Sequence, residues 1–355
     1  MAVQNYSTSD QFSVSQWERG MNIETLKKVS WSGFAGKGED SLIQVRDELS
    51  SSAGDTVKYG LTMQLTGAPK QGDETLEGNE RTLTQHQDSM KIDLIREGYA
   101  NNSAMGQQRT NFDVRETGRR VLQPYFSQVF DQWFFNQLGG AVHQTSTSLT
   151  GNNAVTEYDS NHRLIMDSAN NTNDQDLDSG DPFTIDMIDK AVEKAQAGTK
   201  AIRPAKVMGR ESYVCFLHPY QVTSLRGTSS AWFTFWQNAA AGGMIEGNPI
   251  VRGFLGYWND VLIVSSSRVP TGANSSTEAE ISTVRRAIFA GAQAGYMAFG
   301  RKGGNPNRFQ WIEKSRDYDL IEGIAVQAVA GLKRPIFDSE SLNSFTISSY
   351  AVASA

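Results

Sequence analysis

Four histidines and one cysteine are the side chains of this sequence best suited to metal or nucleophilic chemistry. The histidines are His86, His143, His162 and His218. No two of them have the spacing of a metal-binding pair. Cys215 lies in the apolar run 213–217, which predicts a buried, unreactive thiol. His218 follows this run before Pro219 and is predicted to be structural. We therefore expect no metal, no cofactor and no catalytic centre.

The acidic stretch 173–181 is the part of the sequence that most resembles a metal-binding loop. Its spaced carboxylates suggest a calcium loop, but Gly180 is one place late and Ile185 stands where a bidentate glutamate is needed. We weigh calcium against a solvated loop and favour the loop. No Walker A loop and no Gly-x-Ser-x-Gly elbow occurs. The basic pairs Arg119-Arg120 and Arg285-Arg286 are interpreted as helix-face salt bridges.

The overall composition limits the class of protein. The 355 residues are 39% hydrophobic, which is enough for a substantial core. The formal net charge of −6 lacks the basic surplus of a sequence-reading DNA-binding domain. The polar N-terminus has no signal core and no run approaches a membrane span, so we expect no membrane partner and synthesis in a reducing cytoplasm.

One long helix, about 113–138, is the element that must organise the rest. Its apolar residues recur at steps of three and four, and Gly139-Gly140 marks its end. Pro124 predicts a kink or a restart near Leu122. Aromatic residues nearly encircle its second half, which predicts burial on more than one face, either inside the chain or against a neighbouring chain.

A strand at 57–65 and a second at 90–94 flank about two dozen polar residues. The first strand alternates apolar and polar residues with the period of a half-buried strand. We predict a protruding hairpin whose tip meets a partner, and we keep a disordered surface loop as the alternative.

The remaining segments predict a mixed α/β protein. Residues 1–55 carry isolated aromatic anchors on a polar background and are interpreted as an arm that docks on other surfaces. A helix follows Thr184 and ends at Gly198, and another starts at Pro219. Further strands are predicted at 213–217, 261–264, 286–289, 296–299, 323–329 and 345–352.

Five stretches in this order resemble the N4-like family of tailed-phage major capsid proteins. They are Gly60–Ala68 continuing to Gly72–Glu80, Gln108–Glu116 with the helix end Phe135–Gly140, Tyr213–Pro219, Arg286–Gly295, and Asp317 through Phe337. The resemblance covers about 60–350. It implies an α+β Hong Kong 97-type capsid fold with an N-terminal arm at 1–55, an extended-loop hairpin at 56–100 and a peripheral domain at 101–182. An axial α/β domain at 183–280 and a return to the peripheral sheet at 281–355 complete this expectation.

The resemblance also implies the function of a major capsid protein that assembles through pentamers and hexamers around double-stranded DNA. The expected location is the virion, and the expected partners are further copies of the chain, a separate scaffolding protein, a portal, a decoration protein and loosely held DNA. The candidate inter-subunit contacts are Lys70, Asp73, Glu77, Asn79, Trp17, Trp31, Phe34, Trp232, Phe233 and Trp236. The alternatives are the shell of a cellular protein-cargo compartment and, further off, a soluble α/β enzyme.

Overall fold

Strands gathered into three sheets, together with one long helix, make up most of the described part of the chain. The computed structural model describes residues 29–47, 54–63, 65, 68–73, 75–101, 114–166, 171–198, 201–207, 209–228, 254–300, 308–316 and 321–353. The α-helices in these ranges are α1 (Val114–Leu138), α2 (Thr147–Thr150), α3 (Ile185–Ala197) and α4 (Pro219–Thr228), and short 3₁₀ helices are Ser32–Phe34, Ser160–His162 and Asp174–Asp176. The strands are β1 (Ala35–Gly36), β2 (Ile43–Arg46), β3 (Thr56–Thr62), β4 (Gln85–Lys91), β5 (Asp93–Asn101), β6 (Arg163–Ile165), β7 (Ala205–Val207), β8 (Arg210–Leu217), β9 (Phe254–Trp258), β10 (Val261–Ser265), β11 (Thr271–Ala273), β12 (Glu280–Ala290), β13 (Gly295–Phe299), β14 (Phe309–Arg316), β15 (Ile321–Lys333) and β16 (Ser344–Tyr350). Across these ranges, no helix has both the length and the apolarity needed to span a membrane.

Helix α1 has 25 residues and spans about 38 Å. Its end is set by Gly140, whose φ of 61° is a left-handed conformation that glycine adopts without strain. The Ala141 N–H then donates to the Asn136 carbonyl across 3.1 Å and closes the last turn. The predicted helix at about 113–138 is confirmed.

Pro124 lies inside α1 and does not interrupt it. Our expectation of a restart near Leu122 is wrong. The reason is packing on both sides of the proline, since Leu122 and Phe126 are 2% and 1% exposed and both belong to the main core. Burial of two large side chains outweighs the roughly 3 kcal/mol that an interior proline costs a helix.

The second half of α1 is buried inside its own chain, between two sheets. Phe126 and Phe130 meet Phe309 of β14, with ring centroids 5.6 and 5.9 Å apart. The rings of Phe134 and Phe135 meet the ring of Phe216 on β8, at centroid distances of 5.4 and 5.5 Å respectively. The sequence left open whether these aromatic residues pack within the chain or against a neighbour, and the structure packs them within the chain.

The six-stranded sheet has strand order β1-β2-β13-β15-β14, with β5 also paired to β15. Ala330 of β15 faces both Phe299 of β13 and Asp93 of β5, so β5 occupies one edge of β15 and β13 the other. Strand β14 pairs with β15 on the edge that β13 also occupies, since Phe309 of β14 lies opposite Ala328 of β15. Strands β5, β15 and β14 thus form a three-stranded ribbon, which packs one face against α1.

The eight-stranded sheet has strand order β6-β16-β12-β8-β10-β9, with β11 paired to β12 and β7 to β8. Strand β8 is buried on both faces. Val214 and Phe216 point into the core that contains α1, whereas Cys215 and Leu217 point into a second core with α3 and α4. This two-sided burial explains why the run 213–217 is continuously apolar.

Strand pairing corrects one predicted boundary. We expected the whole chain after about residue 281 to return to the sheet of the long helix. Strands β13, β14 and β15 do so, but β12 and β16 belong to the eight-stranded sheet, where Ile288 pairs with both Thr346 and Phe216. An apolar strand pattern predicts burial and does not say which of two adjoining sheets buries the strand.

His218 caps the N-terminus of α4, in agreement with the prediction that this residue has a structural role. Its Nδ1 accepts a hydrogen bond from the Tyr220 N–H at 3.2 Å, and its own N–H donates to Gln221 Oε1 at 3.0 Å. The Gln221 amide donates further to the Arg285 carbonyl and to Ser349 Oγ. These bonds satisfy donors at the start of α4 and tie the helix to β12 and β16.

We expect His218 to make folding sensitive to acid. Burial, together with the nearby Arg285 charge, lowers the pKa of His218 to about 4. Above about pH 6.5 the ring is neutral in both the folded and the unfolded chain. Between about pH 6.5 and 4 only the unfolded chain binds the proton, so the free energy of unfolding falls by up to about 3 kcal/mol. Urea unfolding of unassembled subunits at about pH 7 and pH 4.5 measures this loss.

The matched variant for this prediction is His218→Asn, because asparagine keeps a capping acceptor and does not titrate. Its unfolding free energy is expected to fall less than that of the wild type over the same pH interval. Equal pH dependence of the two proteins would contradict the assignment.

Candidate assembly surfaces

A β-hairpin projects from the end of the six-stranded sheet. Strands β3 and β4 pair in antiparallel register from Thr56 opposite Lys91 to Thr62 opposite Gln85, and they form a two-stranded sheet of their own. The predicted hairpin is confirmed, although its second strand begins at residue 85 and the next strand follows after Ile92. An isolated two-stranded ribbon is marginally stable in water, so the base of the hairpin needs support from the body.

Aromatic packing supplies that support. Tyr59 of β3 stacks on Tyr296 of β13, with ring centroids 4.3 Å apart, and meets the edge of Phe337 at 5.9 Å. Val57, Met90 and other buried residues complete a small separate core at this point. The hairpin is therefore fixed to the body at its base.

Asp88 is the polar centre of the same base. Its carboxylate accepts hydrogen bonds from Tyr59 Oη at 2.8 Å, from Lys333 Nζ at 2.5 Å and from the Ile336 N–H at 3.0 Å. Burial raises the pKa of Asp88, but the hydrogen bonds from Lys333, Ile336 and Tyr59 outweigh it and hold the pKa below its ordinary value. Burial, with the Asp88 charge, also raises the pKa of Tyr59. Asp88 is therefore ionised near neutral pH and ties β4 to the end of β15.

The loop beyond the ribbon is residues 63–84, hereafter the tip loop, and its described residues from 65 onward are exposed. It carries three leucines of which more than half the surface is exposed, Leu65 at 55%, Leu76 at 63% and Leu83 at 55%. Local bonds shape part of it, since Asn79 Nδ2 donates to the Thr75 carbonyl and the Gly78 N–H donates to Glu80 Oε2. Exposed leucines on a polar projection are typical of a surface that meets a partner.

Four of the predicted contact residues lie in this tip loop. The structure places them on one projection, and all four are exposed: Lys70, Asp73, Glu77 and Asn79. Their contact with another subunit stays a prediction. Trp17, Trp232, Phe233 and Trp236 lie outside the described residues.

The prediction that Trp31 and Phe34 contact another subunit is wrong. They are 2% and 4% exposed, and their rings lie 5.8 Å from Phe134 and 5.9 Å from Phe216 respectively. Both therefore belong to the core of their own chain rather than to a contact between subunits. Isolated aromatic residues on a polar segment show that a partner surface exists, and here that surface is the same subunit.

A buried ion pair joins the end of α1 to the eight-stranded sheet, and sequence reasoning missed it. Arg286 of β12 and Asp174 are both fully buried, with Nε 2.6 Å from Oδ2. Arg286 Nη1 also donates to the Gly140 carbonyl at 2.7 Å and lies 2.9 Å from a Glu157 oxygen. Burial lowers the pKa of Arg286, but the Asp174 and Glu157 charges outweigh it and the net pKa is raised, so the guanidinium stays charged.

This cluster revises two interpretations of the sequence. Arg286 lies on a strand, so the helix-face salt bridge expected for Arg285-Arg286 is wrong, whereas Arg120 does pair with Glu116 on α1 at 2.6 Å. The acidic stretch is not simply solvated either, because Asp174 and Asp181 are 0% and 1% exposed. In the described part of the chain, no group of three or more acidic, histidine or cysteine side chains is placed to hold a metal ion.

Comparisons with known proteins agree on one class. A model of the phage capsid protein family matches residues 5–352. The major capsid protein of Pseudomonas phage KPP25 is 27% identical over 352 residues, covering 92% of this chain and 89% of that relative. The capsid of Ralstonia phage GP4 has a TM-score of 0.79 at 30% identity, covering 100% of this chain and 96% of that chain. The cyanophage Pam1 capsid has a TM-score of 0.72 at 18% identity, covering 99% and 97%, and supports the fold alone.

The long helix, the two sheets and the projecting hairpin are thus those of a Hong Kong 97-type capsid fold, as the resemblance implied. The chain belongs to the phage capsid protein family. It is a major capsid protein of a tailed phage, a structural protein of the virion rather than an enzyme.

Proposed function

We propose that this chain builds an icosahedral head from pentamers and hexamers, that the head encloses double-stranded DNA, and that the tip loop of each subunit lies over a neighbouring subunit. The observation that carries the proposal is the hairpin itself. Its base is fixed by stacked aromatic rings and Asp88, while three leucines of its loop remain exposed. A rigid projection that ends in exposed apolar side chains suits contact with a second subunit.

The division into domains follows from the same proposal. We assign α1 and the six-stranded sheet to the peripheral domain, and the eight-stranded sheet with α3 and α4 to the axial domain that meets its copies around the symmetry axes. The net charge of −6 supports DNA held by confinement and counterions with little direct contact.

We also propose the partners and the subgroup that the resemblance implies. They are a separate scaffolding protein, a portal and a decoration protein, with synthesis in the host cytoplasm before assembly. The five ordered sequence stretches support a place in the N4-like group, and a tree of capsid sequences that groups the chain elsewhere would refute it. Particles free of DNA that close without any scaffold would favour a cellular compartment.

Replacing two of the exposed tip-loop leucines is expected to block assembly and spare the fold. In the variant Leu76→Gln/Leu83→Gln the unfolding free energy of the subunit should change by no more than about 0.5 kcal/mol, because more than half of each side chain is already exposed to solvent. The fraction of protein in shells, measured by sedimentation and electron microscopy, should fall at least about tenfold, since apolar contacts recur at every subunit boundary.

The control is Leu149→Gln, which removes an apolar side chain that is 38% exposed and lies outside the hairpin. It should assemble as the wild type does. Shells at the wild-type level from the tip-loop variant would refute the proposed contact.

A further inference from the structure

Arg334, the residue after β15, is a buried cation without a carboxylate partner. Its side chain is 2% exposed, and its Cζ lies 3.6 Å from the centre of the Tyr158 ring. Its Nη2 donates to the carbonyls of Thr156 and Glu157, at 2.7 and 3.3 Å. No described carboxylate lies within 4 Å of the guanidinium, and its Nε and Nη1 are enclosed without a hydrogen-bond partner among the described residues. A buried charge is unfavourable unless it is paired, so this guanidinium needs a negative partner.

The carboxylates of this region are already shared by two other arginines. A Glu157 oxygen lies 2.9 Å from Arg286 and 3.9 Å from Arg163. Asp174 bonds the same Arg286 at 2.6 Å. Three guanidiniums therefore meet two carboxylates around residues 156–158. The carbonyl end of α1 adds about half a negative unit charge, which leaves roughly half a positive charge unmatched.

Strand β16 adds buried hydroxyl groups on the side of the sheet that faces this cluster. Side chains opposite one another in a sheet point to the same face, so Ser348 points the same way as its β12 partner Arg286. Thr346 and Ser344 lie two and four residues from Ser348 and share that face. Ser344 Oγ is 2.8 Å from Tyr158 Oη, on the ring that the unpaired guanidinium covers. The hydroxyls of Thr346 and Ser348 are buried and have no hydrogen-bond partner among the described residues.

These unpartnered groups define the ligand that suits them. Guanidinium nitrogens can only donate hydrogen bonds and hydroxyl groups donate readily, so the site favours a negative ligand over a cation. Each of these atoms is enclosed, which excludes a peptide or a nucleic acid strand. Water satisfies hydrogen bonds but brings no charge. The chemistry that remains is that of a small inorganic anion.

We propose that the interior beside Tyr158 binds one inorganic anion of about the size of chloride, held by Arg334 and by the hydroxyl of Thr346. The anion is a structural ligand. It joins the segment that follows β15, the segment 156–158 that follows the long helix, and β16 of the eight-stranded sheet. The inference concerns the single subunit and does not rest on the proposed function.

Thermal unfolding of unassembled, full-length subunits in two salts tests the site. At about 0.3 M salt the melting temperature should be at least about 3 °C higher in sodium chloride than in sodium gluconate, because a ligand that binds only the folded chain stabilises it. Gluconate is too large to enter. No difference between the two salts would overturn the proposal.

Three variants separate the site from general effects of salt. Arg334→Gln removes the charge, and Thr346→Val keeps the shape of the side chain and removes only the hydroxyl. Arg334→Gln should lose most of the chloride effect and Thr346→Val about half of it. Arg210→Gln, which alters an exposed arginine, should keep all of it. An unchanged chloride effect in Arg334→Gln would overturn the proposal, and where that variant does not fold, an unchanged effect in Thr346→Val would do so.

Bromide gives a direct readout, because it replaces chloride and scatters X-rays anomalously. Crystals of the full-length subunit grown in sodium bromide should show an anomalous peak in contact with the Arg334 guanidinium. Crystals of Thr346→Val should show a weaker peak at the same place. Density there without anomalous signal would identify ordered water and overturn the proposal. Peaks confined to exposed lysines and arginines would mean an adventitious ion only and would overturn it as well.

The outcomes are independent of those for assembly. Loss of shells in Leu76→Gln/Leu83→Gln, together with wild-type subunits that melt alike in both salts, would overturn the anion site and leave the tip-loop contact standing. Normal shells from that variant, together with the expected bromide peak, would do the reverse.

Discussion

Replacement of Arg286 by methionine is expected to lower the free energy of unfolding of the subunit by about 3–5 kcal/mol, because it leaves the carboxylate of Asp174 buried without a counter-charge. Asp174 is fully buried and keeps only the Ala273 N–H, at 3.2 Å, as a donor among the described bonds to its Oδ2. The Gly140 carbonyl at the end of α1 loses its guanidinium donor as well. Urea unfolding of unassembled subunits measures the change.

Two further variants decide whether the loss comes from the buried charge. In the double variant Arg286→Met/Asp174→Leu, a large part of the stability should return, since apolar residues of similar volume often replace a buried ion pair without loss. Arg120→Met, which breaks the exposed pair with Glu116 on α1, should cost less than about 0.5 kcal/mol. A loss below about 1 kcal/mol in Arg286→Met would contradict the role assigned to the pair.

Replacement of Phe216 by alanine is expected to cost about 3–5 kcal/mol, through the lost apolar burial and the cavity that remains. Phe216 is fully buried, and its ring meets Phe34, Phe134 and Phe135 at centroid distances of 5.9, 5.4 and 5.5 Å. It therefore joins three parts of the molecule: the segment that begins at Val29, the long helix and the eight-stranded sheet. Chemical denaturation should show the loss, and amide exchange should show reduced protection of the segment 29–46.

The control is Val121→Ala on α1, the helix that Phe216 packs against. Val121 is 56% exposed, so its truncation should change stability by no more than about 0.5 kcal/mol. Two results would contradict the joining role of Phe216: a loss as small as that of the control, or a large loss without any change in exchange at 29–46.

The long helix and the hairpin were predictable because their signals are local. Apolar steps of three and four over 25 residues, closed by Gly140, suffice to define α1. Alternation from Val57 to Leu61 suffices to define β3, and the following polar residues define a projecting loop. Pro124 misled the prediction of a restart, because the packing of Leu122 and Phe126 that keeps the helix continuous through it comes from residues distant in sequence.

The sequence by itself determined the long helix, the hairpin, most of the later strands and the resemblance to the phage capsid family, but it gave no signal for β2, β6 or β14. Only the tertiary structure decided their partners. Arg286 and Asp174 lie 112 residues apart, and no local pattern connects them. Trp31 and Phe34 turned inward, and β12 and β16 joined the eight-stranded sheet, for the same reason. Periodicity records how much of a residue is buried, whereas the identity of the burying surface depends on contacts between distant segments, which a linear pattern does not contain.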